Sequence, residues 1–288
     1  MAFKTFSERT AEGAESALYE GVPEWLRETL VAHIVRATKS ERVVDSSKVH
    51  SLERIAKQPP LLAGSSAGKE ANLLTNLRNA KEDALLLILD ASLRGATSAA
   101  PYEVEELNLK LRDAGSAYEA RKVAAPSTPN GKSVFALERR VSAEVIDLAA
   151  RVAAAPQVAA ELRAAQTDIY GLHPDPVSGL HHCVKAVEIA GIPLVEPNNP
   201  KATLGSMMGQ LRNSATAFQL SMRLEGGQPI ATLEAMCRLL WDTERVHRHG
   251  TDPAKAPAPA TQKEAESAYG LSVLLCEWFV RASVKRTP

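Results

Sequence analysis

The sequence predicts a mainly α protein: a helical N-terminal module with one small β-hairpin, followed by a C-terminal bundle of four helices. Three observations predict it. Apolar residues recur at three- and four-residue steps through most of the chain. The period changes only around an Asn130-Gly131 turn signal. Prolines and glycines cut the rest into stretches of ordinary helix length.

The elements follow in order. Pro23 opens a helix to about Thr38, with Trp25, Leu26, Leu30 and Ile34 on one side. From near Ser66, Leu73, Leu74, Leu77, Ala80, Ala84, Leu87, Ile88 and Ala91 mark one buried face. Leu107, Leu111, Ala114 and Tyr118 repeat the pattern after Pro101. Residues 116–123 and 133–141 flank Pro126-Ser127-Thr128-Pro129-Asn130-Gly131 and read as a two-stranded hairpin. Ser142 caps a helix to about Ala154, and Pro156 starts another to about Tyr170.

Gly171-Leu172-His173-Pro174-Asp175-Pro176 is the predicted boundary between a domain at 1–170 and a domain at 171–288, because its prolines disfavour continued helix. Four helices follow, over about 177–190, 201–222, 230–247 and 261–282. Leu204, Met208, Leu211 and Phe218 are spaced to share one buried face. The stretch from Gly250 to Thr261 contains Pro253, Pro257 and Pro259 and reads as irregular.

Composition narrows the function. Lys plus Arg and Asp plus Glu number 34 each, which argues against the basic surface that duplex DNA requires. Aromatics make up 5% of the chain, too few for stacking platforms along a single strand. Cys183, Cys237 and Cys276 are odd in number and far apart, so core thiols and a reducing, cytoplasmic setting are expected rather than disulfides. No secretory h-region opens the chain. The longest apolar run, Ala84 to Leu89, stops at Asp90, so no membrane partner is expected.

The densest chemistry lies in Trp241-Asp242-Thr243-Glu244-Arg245-Val246-His247-Arg248-His249-Gly250. Arginine binds a phosphate through two parallel hydrogen bonds, and histidine exchanges protons near neutral pH. A plainer reading also fits. Helix C-termini favour cations, because the last carbonyls carry partial negative charge, and glycine often follows the end.

Other candidates are weaker. His181-His182-Cys183 offers ligand types, but adjacent helical side chains point about 100° apart. No Cys-x-x-Cys pair accompanies them, so no metal and no cofactor is expected. Gly64 to Glu70 has some character of a phosphate loop, but it is one residue short and follows no strand. A loop leading into a helix accounts for it.

The order of several motifs carries a resemblance. Asp175-Pro176-Val177-Ser178, Val184-Lys185-Ala186-Val187-Glu188, Ala202-Thr203-Leu204-Gly205, Arg248-His249-Gly250 and a closing amphipathic helix follow one another. Together they resemble the C-terminal domain of bacterial abortive-infection (Abi) proteins, within the HEPN class of all-helical domains. Upstream, Phe6-Ser7-Glu8-Arg9, Gly115-Ser116-Ala117-Tyr118 and Leu137-Glu138-Arg139-Arg140-Val141 are similar to modules that precede such domains.

The resemblance implies a HEPN-like bundle that forms a homodimer, acts in phage defence and has RNA as its partner. It implies cleavage without metal, by an arginine and a histidine a few residues apart. The arginine stabilises charge on the phosphate and the histidine moves a proton. Carried onto this chain, the catalytic candidates are Arg245 and His249, with His247 and Arg248 helping to bind substrate.

The chain departs from the pattern. His249-Gly250 matches the end of the family motif, but counting back six intervening residues from His249 reaches Asp242, where the family has arginine. Arg245 leaves three intervening residues. Two readings therefore stay open: a ribonuclease using Arg245, or a non-catalytic interaction protein with a degenerate site.

Overall fold

The computed structural model describes residues 18–62, 68–95, 101–124, 133–225, 227–248 and 259–287. Helix takes 66% of them and strand 11%, the strands lying in two-stranded sheets, so the fold is mainly α. The chain forms two compact units, residues 1–140 and 141–288. The division falls earlier than the predicted one at 171, because the two helices after Val141 pack into the core of the second unit.

In the first unit, α1 (Glu24–Thr38) buries Leu26, Leu30, Val31, Ile34 and Val35. Trp25 lies outside that face. It is exposed, its ring centroid 6.5 Å from that of Tyr19, which is also exposed. A small β1–β2 pair (Lys39–Ser40 with Val43–Val44) leads into α2 (Ser46–Ala56), whose start is capped by the Asp45 side chain.

The long apolar stretch beyond Ser66 forms two helices, α3 (Lys69–Arg78) and α4 (Glu82–Gly95). Arg27 holds the break between them. Its Nη1 donates to the carbonyls of Arg78 (3.2 Å) and Ala80 (2.7 Å), groups that a helix end leaves without partners.

After α5 (Pro101–Asp113) comes the predicted hairpin, β3 (Tyr118–Ala124) with β4 (Ser133–Arg139), antiparallel from Tyr118↔Arg139 to Ala124↔Ser133. Its Asn-Gly turn lies outside the described residues. Two side chains hold the hairpin in place. Asp90 of α4 accepts from Leu137 N at 2.7 Å and from Arg94 Nε at 2.6 Å. Asn108 of α5 makes both a donor and an acceptor bond to the backbone of Ala120.

The second unit begins with α6 (Ala143–Arg151), capped by Ser142, and α7 (Pro156–Tyr170), opened by its proline. The proline-rich break before Pro176 is a turn inside this unit. Then comes α8 (Pro176–Val195), started by Pro176 and by Asp175, which accepts from Ser178 N. It runs past Pro193, further than the sequence predicts. The guanidinium of Arg286 supports its end, donating to the carbonyls of Leu194 (2.9 Å) and Val195 (3.1 Å).

The second of the four helices predicted after residue 171 is shorter than expected. Thr203 and Ser206 form a capping box at the start of α9 (Leu204–Asn213), and the chain then turns through a 3₁₀ segment into β5 (Phe218–Leu220). β5 pairs with β6 (Val284–Arg286). Leu204, Met208, Leu211 and Phe218 are all buried, Phe218 from a strand rather than a helix. The Arg286 guanidinium lies 5.5 Å from the Phe218 ring centroid.

The last two helices are α10 (Pro229–Arg248) and α11 (Gln262–Val280). A Thr261–Glu264 capping box opens α11. The predicted irregular stretch between these helices lies mostly outside the described residues. Among the described residues, no helix is long and apolar enough to cross a membrane.

The packing of α8 depends on two glycines. A β-carbon on Gly179 would collide with Ile169 Cγ1 of α7, and one on Gly191 would lie 2.6 Å from Met207 Sδ of α9. Gly179→Ala is therefore expected to lower the stability of the protein by about 1–3 kcal/mol through overpacking. Gly209, in α9, has open space around its α-carbon, and Gly209→Ala should raise stability by up to about 1 kcal/mol. Urea denaturation midpoints of the two variants, moving in opposite directions, check both statements.

Candidate functional site

The α10 helix carries the dense cluster of acidic, basic and histidine side chains as far as Arg248. Its inward stripe is Ile230, Leu233, Cys237, Leu240 and Glu244, at alternating steps of three and four. The first four are apolar or thiol, and the fifth is a carboxylate at a core position, 4% exposed. Burying a carboxylate is costly unless polar groups meet it. His181 of α8 does so: its Nδ1 lies 3.5 Å from Glu244 Oε1. The His181 side chain itself is 58% exposed, so the pair joins a buried carboxyl group to an open imidazole.

Arg245 follows Glu244 and points outward, also 58% exposed. Its Nε lies 3.8 Å from Asp242 Oδ1, one turn earlier on the same helix. Asp242 thus partly neutralises the Arg245 cation. The backbone of His247 and Arg248 completes the last turn of α10. His249 and Gly250 lie outside the described residues.

Arg238 pairs with Glu234, which also faces Arg212 at 3.5 Å, so Arg238 belongs to a surface network rather than to the motif. Leu239 and Val246 are exposed on the same helix. A groove of about 390 Å³ runs between α10 and α11, lined by Leu239, Leu240, Thr243, Ala268 and Leu271 with Lys263 and Glu264 at its rim.

The two neighbouring histidines of α8 face different helices. Their ring centroids are 6.1 Å apart. While His181 meets Glu244 of α10, His182 sits between two carboxylates of α7. Its Nδ1 is 2.7 Å from Glu161 Oε2 and its Nε2 3.7 Å from Asp168 Oδ2. Lys185 reaches the other oxygen of Glu161 at 2.7 Å, and Ser178 donates to Asp168 at 2.6 Å.

Burial acts to raise the Glu161 titration, but the hydrogen bonds from Lys185 and His182 outweigh it and hold the carboxyl below its ordinary value. The three cysteines are buried as expected. Desolvation pushes Cys183 and Cys237 up to about 12 and Cys276 higher still, so none is a ready nucleophile.

The sequence reading missed the His181–Glu244 pair, whose members are separated by 63 positions. One signal was available. Glu244 continues the three-four spacing of the apolar stripe, and a carboxylate on that stripe requires a polar partner from another helix. Comparison with known proteins adds no further guide: the chain matches no family model, no curated protein and no solved structure.

The lowered titration of Glu161 has a consequence for stability. A carboxylate held lower in the folded state stabilises the fold above the ordinary carboxylate range, and the gain fades as pH falls through its own titration. Glu161→Gln should therefore cost on the order of 1–2 kcal/mol at neutral pH, with the deficit shrinking in acid. Denaturant unfolding of both proteins at neutral and acidic pH measures it. A deficit independent of pH would mean that packing, not charge, is lost.

Proposed function

We propose that the second unit is a HEPN-like domain of the abortive-infection type, and that it binds RNA and cleaves it by metal-independent acid–base chemistry. The observation that carries the reading is the end of α10. There an exposed guanidinium, Arg245, follows a buried carboxylate, Glu244, that meets an open imidazole from α8. A cation for phosphate charge and an imidazole for proton transfer are the two group types that such chemistry uses. Arg245 and His249 are the proposed catalytic pair, with His247 and Arg248 as auxiliary phosphate contacts. The exposed Leu239 and Val246 supply apolar surface for the homodimer that the resemblance implies.

A second reading, a non-catalytic interaction protein, is favoured by one specific observation. Arg245 is matched to Asp242 on its own helix, and a carboxylate beside the scissile phosphate repels it. On that reading the apolar groove between α10 and α11 is the working surface.

Incubation of the purified full chain with total cellular RNA, with and without a chelator, separates the two. Cleavage that survives chelation is the expected result. His249→Ala should abolish it with little loss of stability, about 1 kcal/mol or less. Arg245→Ala should lower the rate, and the double variant should lose less than the sum of the single losses, because both groups serve one step. An intact protein that cuts no RNA but retains a tight macromolecular partner would establish the interaction reading.

A further inference from the structure

We infer that the cavity between α1 and α5 of the first unit binds a small phosphate monoester, with His33, Arg36 and Lys110 around the phosphate. The inference concerns the first unit alone and stands independently of the ribonuclease reading.

The cavity encloses about 270 Å³. Helix α1 lines it with Ala32, His33 and Arg36, and α5 with Glu106, Leu107 and Lys110. Each set falls on one side of its helix, because an α-helix repeats every 3.6 residues. Lys110 Nζ lies 2.5 Å from Glu106 Oε1, and Arg36 Nη1 lies 3.7 Å from Glu106 Oε2. Cations from two helices therefore already converge on one oxyanion, a side chain of the protein itself. Both pairs are about half exposed to water, and pairs of that kind are weak. A ligand anion can displace the Glu106 carboxylate from them.

His33 adds a group that still lacks a partner. It is half-buried and lines the cavity, and among the described residues its ring makes no hydrogen bond. Burial, and then the charge of Arg36, hold its titration below the ordinary histidine value; Lys110 acts in the same sense, and Glu103 and Glu106 of α5 oppose it. The other carboxylate on the lining, Glu28 of α1, has its charge matched by Arg78, whose guanidinium donates to both its oxygens at 2.8 Å.

A phosphate fits this set better than a carboxylate. It carries up to two charges, and its oxygens can meet a guanidinium, an ammonium and an imidazolium at once. The cavity is larger than a bare phosphate ion, and Ala32 and Leu107 give it an apolar part. The ligand therefore carries an organic group on its phosphate.

The test is titration calorimetry on the intact protein, with phenyl phosphate, inorganic phosphate and inorganic sulfate as probes. Phenyl phosphate should bind at least about 10-fold more tightly than inorganic phosphate, because its ring is buried as well. Arg36→Ala should weaken phenyl phosphate binding by about 10-fold or more, the usual worth of a charged hydrogen bond. Glu106→Gln should tighten binding, since it removes the competing carboxylate; a purely structural Glu106 would not give that sign. Sulfate keeps its charge between about pH 6 and about pH 8, and it should bind more tightly at the lower value, because the anion favours the imidazolium form of His33 and binding takes up a proton. Glu106 stays ionised over that range, held below its ordinary value by the hydrogen bond from Lys110. His33→Asn should remove the pH dependence.

Circular dichroism melts confirm that each variant folds. Absence of binding by every probe, or phenyl phosphate binding that Arg36→Ala leaves unchanged, would overturn the inference. Weaker binding by Glu106→Gln would do the same. Inorganic phosphate bound as tightly as phenyl phosphate would assign the cavity to the free ion and overturn the monoester. A sulfate affinity that does not change with pH would remove His33 from the phosphate contacts.

Discussion

Gly179 lets α7 and α8 approach until the Ile169 side chain fills the space a β-carbon would occupy, and Gly191 does the same for α8 and α9. The second unit is arranged around these approaches. With α8 seated so closely, Leu180, Cys183, Val184 and Val187 enter the common core beside Leu275 and Cys276 of α11. That buried stripe sets the rotation of α8 about its axis. Two adjacent residues are then sent in different directions, His181 to α10 and His182 to α7.

Polar groups at core positions set local geometry in both units. Asp90 spans from α4 to the β4 backbone in the first unit, and its charge is balanced by Arg94. Glu244 occupies the corresponding role on α10, with His181 as one partner. Buried charges of this kind add little net stability, because desolvation offsets attraction. They do restrict which arrangement can form, since only one brings the partner to the anion. The hairpin register and the α8–α10 juxtaposition gain definition in this way.

The electrostatics at the end of α10 are mixed. Arg245 gains from the helix terminus, where partial negative charge favours cations, and from Asp242 one turn back. Both interactions are exposed and weak. An approaching phosphate can compete for the guanidinium, but it must also face the Asp242 carboxylate.

Periodicity and punctuation made most of the helices legible. Pro23, Ser142, Pro156 and Pro176 start helices where the sequence places them, because capping and a fixed proline φ act within a few residues. The hairpin was legible for the same local reason. The sequence was misleading where distant groups decide. Arg286 satisfies the last carbonyls of α8, β6 draws Phe218 into a strand, and Arg27 supports a break in the apolar stretch beyond Ser66.

Of the candidate site, the sequence by itself located the arginine–histidine cluster and the departure at Asp242, since both are matters of spacing along one helix. Only the tertiary structure decided that Arg245 faces Asp242 and that His181 meets Glu244. Such pairing depends on the rotation of two packed helices. That rotation is set by which side chains of both helices enter the shared core, Leu180, Cys183, Val184 and Val187 on one and Leu233, Cys237 and Leu240 on the other, and not by spacing along either helix alone.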